Sequence, residues 1–385
     1  MKKLIGLAAF TAMASAVLGG IPPVSAATPP TPAVEKPAAE RAAGMEAYKR
    51  ALAEQVARRL GDRGFRTEIT RELADDGQAD LAALFGAVSD GRELADYTRR
   101  ANQDILRLKG IQAEGESLLQ IRTDPAMARR VAAGEQALVM FTPSGDEKAV
   151  RTVTAYDSAG RTHQLDARRA PTRPVLIVGL DERRTAALSR QTIRRRLTEA
   201  GIGGTDRTLE TGTQQASSSP APLAATRPVS HLFRIVNRID QEPWYKGGPE
   251  IYAWVMGAGL DGKARIDAVE MPYIQQEGKV YSPGQVLVEW SNFSWTAVDV
   301  VFMEHDDDTD LSGLVRAVVD GALVISGNGQ YVQVADKVIG ALPSDWTTDH
   351  DDWVDSCYLI TAQTQGSDCA ADPEAMSFVL AYHWV

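Results

Sequence analysis

The sequence predicts an α+β protein, and three observations carry that expectation. Between residues 41 and 111 apolar residues recur every three to four positions, the period of amphipathic helices. From Ser117 onward the period shortens to two, as in strands with one buried face. After His231 short strand-like runs recur between turn signals, and all seven tryptophans lie in that part of the chain. Many short strands at fairly even spacing point to an antiparallel β-sandwich.

Residues 1–26 have the pattern of a secretory signal peptide. Lys2 and Lys3 precede an apolar run at 4–20, and Val24-Ser25-Ala26 supplies the small residues of a cleavage site. The sequence therefore predicts a secreted chain, extracellular or periplasmic. It has no second apolar run of about eighteen residues, so no transmembrane segment is expected in the mature part. Residues 27–40, rich in Pro and Ala, read as a tether.

In the helical segment 41–111, Met45, Tyr48, Leu52, Val56 and Leu60 keep helical spacing until Gly61. Leu73, Leu81, Leu84 and Phe85 mark a second helix, and a third ends on Lys109-Gly110. Segment 117–200 holds strand patterns at 118–122, 137–142, 150–156, 161–165 and 175–180, with turn chemistry in TPSGDE and DSAG. A basic helix at 185–200 follows this small β-unit. Its arginine-rich run at 183–197 reads as a solvated face rather than an anion site. Residues 201–230, poor in bulky apolar residues, read as a linker and main domain boundary. The sandwich domain then occupies 231–385, with a helix inserted at 311–319 and a hairpin at Asn328-Gly329.

Charge divides the chain at the same place. From His231 to the end 24 acidic residues face 8 basic ones, a balance of −16, whereas the rest carries +6. A terminal domain of that sign repels phosphates, so nucleic acid is excluded as its partner.

Part of this acidity lies in two knots. Glu304, Asp306, Asp308 and Asp310 stand at the end of an apolar run at 298–303; Asp349, Asp351, Asp352 and Asp355 form the second knot. In an extended loop, carboxylates two positions apart lie about 6 to 7 Å from each other. At an effective dielectric near 20 they repel by roughly 2 to 3 kcal/mol. Calcium, which takes six to eight oxygens, is the ion such a set suits. The spacing is not that of an EF-hand, because Leu311 stands where the loop needs Gly and Ala317 where it needs Glu. The expectation is a calcium-binding β-sandwich module for a glycan, lipid or protein partner, with Asp240 and Glu242 as further ligands if they share that pole.

Other readings stay open. His305 and His350 sit in matching contexts, EHDDD and DHDDW, and as zinc ligands they would make the protein a metal-dependent hydrolase. A structural envelope protein without a ligand is the third reading. No G-x-S-x-G elbow or Walker loop is present, and no catalytic residue is assigned. Trp290 and Trp295 are read as packing residues rather than a sugar platform. Cys357 and Cys369 are expected to pair in an oxidising compartment, closing a loop that contributes roughly 3 kcal/mol.

The segments ALVMFTPSGDEK, VTAYDSAGRTHQLDARRAPTRPVLIV, DQEPWYKGGPEIYAWV, VEMPYI, VVFMEHDDDTD and DDWVDS, taken in order, resemble the bacterial exported family catalogued as domain of unknown function 3103. The resemblance implies one arrangement over nearly the whole mature chain. It brings no activity and no catalytic residues.

Overall fold

The computed structural model describes residues 38–144, 149–208, 227–239, 243–305, 311–323, 335–341, 353–368 and 375–385. The helical segment holds four helices rather than three: α1 (Ala38–Arg59), α2 (Arg63–Glu72), α3 (Leu81–Ala87) and α4 (Arg92–Leu108), with a short strand β1 (Gln78–Asp80) before α3. Two aspartates make the extra boundaries. The Asp62 carboxylate accepts the amide of Phe65, and that of Asp80 accepts the amide of Ala83, each at 2.7 Å. An N-cap of this kind satisfies a donor the helix leaves open and starts a new helix there.

The small β-unit follows the expected pattern: β2 (Leu119–Arg122), α5 (Pro125–Ala132), β3 (Leu138–Phe141), β4 (Thr152–Tyr156), β5 (Thr162–Asp166), β6 (Val175–Leu180) and α6 (Glu182–Glu199). They form a six-stranded sheet in the order β1-β2-β6-β3-β4-β5. All six residues of β6 are buried, as its unbroken apolar run requires of an inner strand.

The 201–230 stretch is not all linker. Asp206–Thr208 forms β7, and β8 (Pro228–Asn237) begins inside the same stretch. After them come β9 (Ile251–Ala258), β10 (Ala264–Glu270), β11 (Val286–Glu289), β12 (Ala297–Glu304), α7 (Leu311–Leu323), α8 (Ala335–Ala341), β13 (Trp353–Thr361), β14 (Gly366–Asp368) and β15 (Met376–Trp384). Two sheets result, β13-β12-β9-β10-β7 and β11-β8-β15-β14. They pack face to face over Leu232, Ile235, Val255, Val300, Phe302 and Phe378, as a sandwich does. The larger sheet is mixed, however, because β7 pairs with β10 in parallel. The expected hairpin at Asn328-Gly329 lies outside the described residues.

The second face of that sheet is also covered. Alternation along β9 sends Ile251, Ala253 and Val255 into the sandwich core and Tyr252, Trp254 and Met256 into a core shared with α1, α6, α7 and the first sheet. Hence all eight residues of β9 are buried. Each fully buried large apolar side chain stabilises by about 1.5–3 kcal/mol, and this shared core crosses the expected domain boundary. Pro37–Val385 forms one compact unit. The basic run is correspondingly not a purely solvated face: Arg194 of α6 pairs with Asp206 and donates to the Ile266 carbonyl at 3.0 Å. Trp295 is buried in the shared core, and the Trp290 indole donates to Ser230 Oγ at 2.9 Å.

Candidate functional site

The strand register gathers three side chains at one end of the central sheet. Tyr252 of β9 pairs with Glu270 of β10 on one side and Met303 of β12 on the other. His305, two positions beyond Met303, shares that face, and its amide donates to the Glu250 carbonyl at 3.2 Å. Its ring stacks on Tyr252 with centroids 4.1 Å apart and planes 16° apart. This face looks toward α6. Arg190 of α6 stands among the buried residues Ala186, Ile193 and Leu197 and pairs with Glu270 Oε2 at 2.8 Å.

A second ion pair closes the other wall. Arg122 of β2 lies 2.9 Å from Glu182 Oε1 and donates to the Tyr245 carbonyl at 2.6 Å. Tyr245 is buried against the first sheet, and the Trp244 indole donates to the Asp166 carbonyl, so the 243–250 loop is tied down on that side. Gly247 makes a close approach: a Cβ there would sit 2.7 Å from Glu182 Oε2, so that side-chain end would have to shift. Between these walls lies a cavity of about 370 Å³, bounded also by Gln78, Gln120, Asp181, Gly248 and Gln275. That size is within the range of small-molecule sites.

The polar groups facing one another inside are incompletely satisfied. The side chains of Glu270 and His305 are 8% and 9% exposed. Glu270 Oε1 and His305 Nε2 each lack a hydrogen-bond partner and lie 3.7 Å apart, beyond hydrogen-bond reach of one another. Burial pushes the His305 imidazole below its ordinary pKa; Glu270 opposes that shift, and the charges of Arg190 and Lys109 add to it. The neutral ring is therefore favoured. An open buried acceptor costs about 1–3 kcal/mol, which a ligand recovers.

The family model described as "Protein of unknown function (DUF3103)" matches residues 49–377. The chain belongs to this family. Comparison with curated proteins and with solved structures found no match.

In this family member only part of the expected acidic set is described. Glu304 ends β12 opposite Ile251. Asp355 is fully buried in β13, where its oxygens accept the amides of Ser356 and Met376 at 2.7 and 2.8 Å. It thus turns into the sandwich core. Asp306, Asp308, Asp310, Asp349, Asp351, Asp352, His350, Asp240 and Glu242 lie outside the described residues, as does Cys369; Cys357 is buried in β13. Among the described residues no group of three His, Cys, Asp or Glu side chains is placed to hold a metal. Among them, too, no helix is long and apolar enough to cross a membrane.

Of the expected site residues that are described, His305 alone lines the cavity. Glu270 and Arg190 were not singled out, yet each leaves a trace. Glu270 occupies an inward position of the alternation Ile266, Ala268, Glu270, and Arg190 interrupts an apolar helical stripe.

Proposed function

We propose that this is an exported binding protein that holds a small polar molecule in the cavity between α6 and the central sheet. One observation carries the reading: two side chains more than nine-tenths buried, Glu270 and His305, turn unpartnered hydrogen-bonding atoms toward each other beside a half-open cavity. Buried polar groups in a stable fold are normally satisfied, so open ones in a cavity mark a place where a ligand completes the bonding. The signal-peptide pattern of residues 1–26 supports export.

The test is a thermal melt of the mature protein against a panel of small polar compounds. A ligand at a hundred times its Kd stabilises by about 2.7 kcal/mol. Gln275 is exposed and lines the cavity, so Gln275→Trp obstructs the space without disturbing the core. At least one compound should raise Tm saturably in the wild type and fail to do so in Gln275→Trp. If no compound does, or if the variant responds equally, the reading is wrong.

A second reading, calcium binding by the acidic knots, has its own support. Met303 pairs with Trp353, so the end of β12 lies beside the start of β13, and in the sequence one acidic knot follows the former and the other precedes the latter. Two carboxylate-rich knots flanking paired strand ends in the sequence favour a divalent cation, with a glycan, lipid or protein partner beyond it. A metal-stripped sample titrated with calcium through about 0.1 to 1 mM should gain Tm saturably. An unchanged melt removes calcium. A response to zinc lost in His305→Ala favours the metal-dependent hydrolase instead.

A further inference from the structure

We propose that the cavity ligand is a neutral, polyhydroxylated compound of the saccharide class, with one hydroxyl seated between Glu270 and His305. The inference rests on the cavity being a binding site and adds what enters it.

The first argument is which polar atoms remain open. The inner guanidinium groups are committed, Arg122 to Glu182 and the Tyr245 carbonyl, Arg190 to Glu270. Arg183, exposed at the rim, donates to Gln78 Oε1. The side-chain amide nitrogens of Gln120 and Gln275 donate to the carbonyls of Leu180 and Pro272. Several donors of the wall are thus used, while Glu270 Oε1 has no partner and accepts only what a ligand donates. The ligand must bring the donor.

The second argument is charge. A carboxylate or phosphate would find both inner arginines already paired and would face Asp181, Glu182, Glu250 and Glu270. An ammonium would meet a carboxylate whose charge Arg190 already balances, in the field of Lys109, which is buried and close enough to act on His305. Neither charged class gains enough to offset its desolvation. A neutral hydroxyl has no such cost. It donates to Glu270 Oε1 and, through its own lone pair or hydrogen, bonds His305 Nε2 in either tautomer. The 3.7 Å separation lets a single oxygen lie about 2.8 Å from both atoms.

The experiment is isothermal titration of the mature protein with neutral mono- and disaccharides and inositols, alongside amino acids, polyamines and dicarboxylates of similar size. The expected result is saturable binding of a neutral polyol and none of the charged compounds. Glu270→Gln and His305→Gln should each weaken it at least about tenfold, the loss of one hydrogen bond to a charged or buried group. Folding of both variants is checked by circular dichroism. If either fails to fold, single-deoxy analogues of the bound sugar replace it, and one of them must lose binding to a similar degree. Binding of a charged compound alone, or a polyol whose affinity ignores both variants and every deoxy analogue, overturns the saccharide assignment. The cavity reading survives the first of these if Gln275→Trp blocks the bound compound. If no compound binds, or none is blocked by Gln275→Trp, the cavity reading itself fails and takes this assignment with it.

Discussion

The two faces of the central sheet handle buried charge in opposite ways. On the sandwich face Asp355 is fully buried, and each of its oxygens takes a backbone amide, one of them from β15 across the core. On the face toward α6, Glu270 has one oxygen on Arg190 and the other open. A carboxylate saturated by the fold is a fastener. One left half-satisfied beside a cavity is, in the reading proposed above, the place where a ligand bonds. Burial alone does not distinguish them; the accounting of partners does.

The same isosteric change at both residues sharpens that contrast. Asp355→Asn places an NH2 group against a backbone N–H and should cost about 3 kcal/mol in urea unfolding. A loss below about 1 kcal/mol would mean that one of the amides has another partner. Gly247→Ala comes next, at about 1–2 kcal/mol, because its Cβ displaces Glu182 from Arg122. The same variant should lose ligand-induced stabilisation, and a retained response would show that this wall does not shape the cavity. Glu270→Gln ranks third, at about 1 kcal/mol or less, since the amide oxygen still serves Arg190 and the NH2 replaces an open atom. Equal losses for the two amide swaps would erase the distinction between the faces.

The smallest effect concerns a site away from both faces. Asp157, in the turn between β4 and β5, accepts from His163, from the Arg161 guanidinium and from the backbone amides of Ala159 and Arg161. The His163 bond, followed by those of Arg161, holds its carboxyl well below the usual carboxylate range. A depressed folded-state value means the stabilisation is present above the unfolded-state value, about pH 4, and is lost as pH falls through the folded one. Asp157→Asn should therefore flatten the acid limb of stability below about pH 4 and leave the neutral region nearly unchanged. An unaltered acid limb would show that the turn does not titrate this way.

Much of the architecture was legible because it rests on local periodicity. The period-two runs became β2 to β6, and the shift in composition after residue 230 marks where the two facing sheets begin in earnest. What stayed hidden was non-local. β7 is three residues in a Gly- and Thr-rich stretch, and only its pairing with β10 makes it a strand. Asp62 and Asp80 split helices through side-chain geometry that apolar spacing does not report. For the site, His305 was picked out by its acidic neighbours in sequence, whereas its counterpart, Glu270, lies 35 positions earlier and meets it only through the register of three strands.

Arg122 meets Glu182 across 60 positions of the chain and the Tyr245 carbonyl across 123. Contacts of such sequence separation carry a large loop-closure entropy and form after helices and hairpins have condensed. The cavity is consequently expected to form late in folding, when the 243–250 loop docks on the first sheet. A chain clipped within that loop is expected to keep its sheets and lose this wall, so under the proposed function only the finished fold would respond to a ligand.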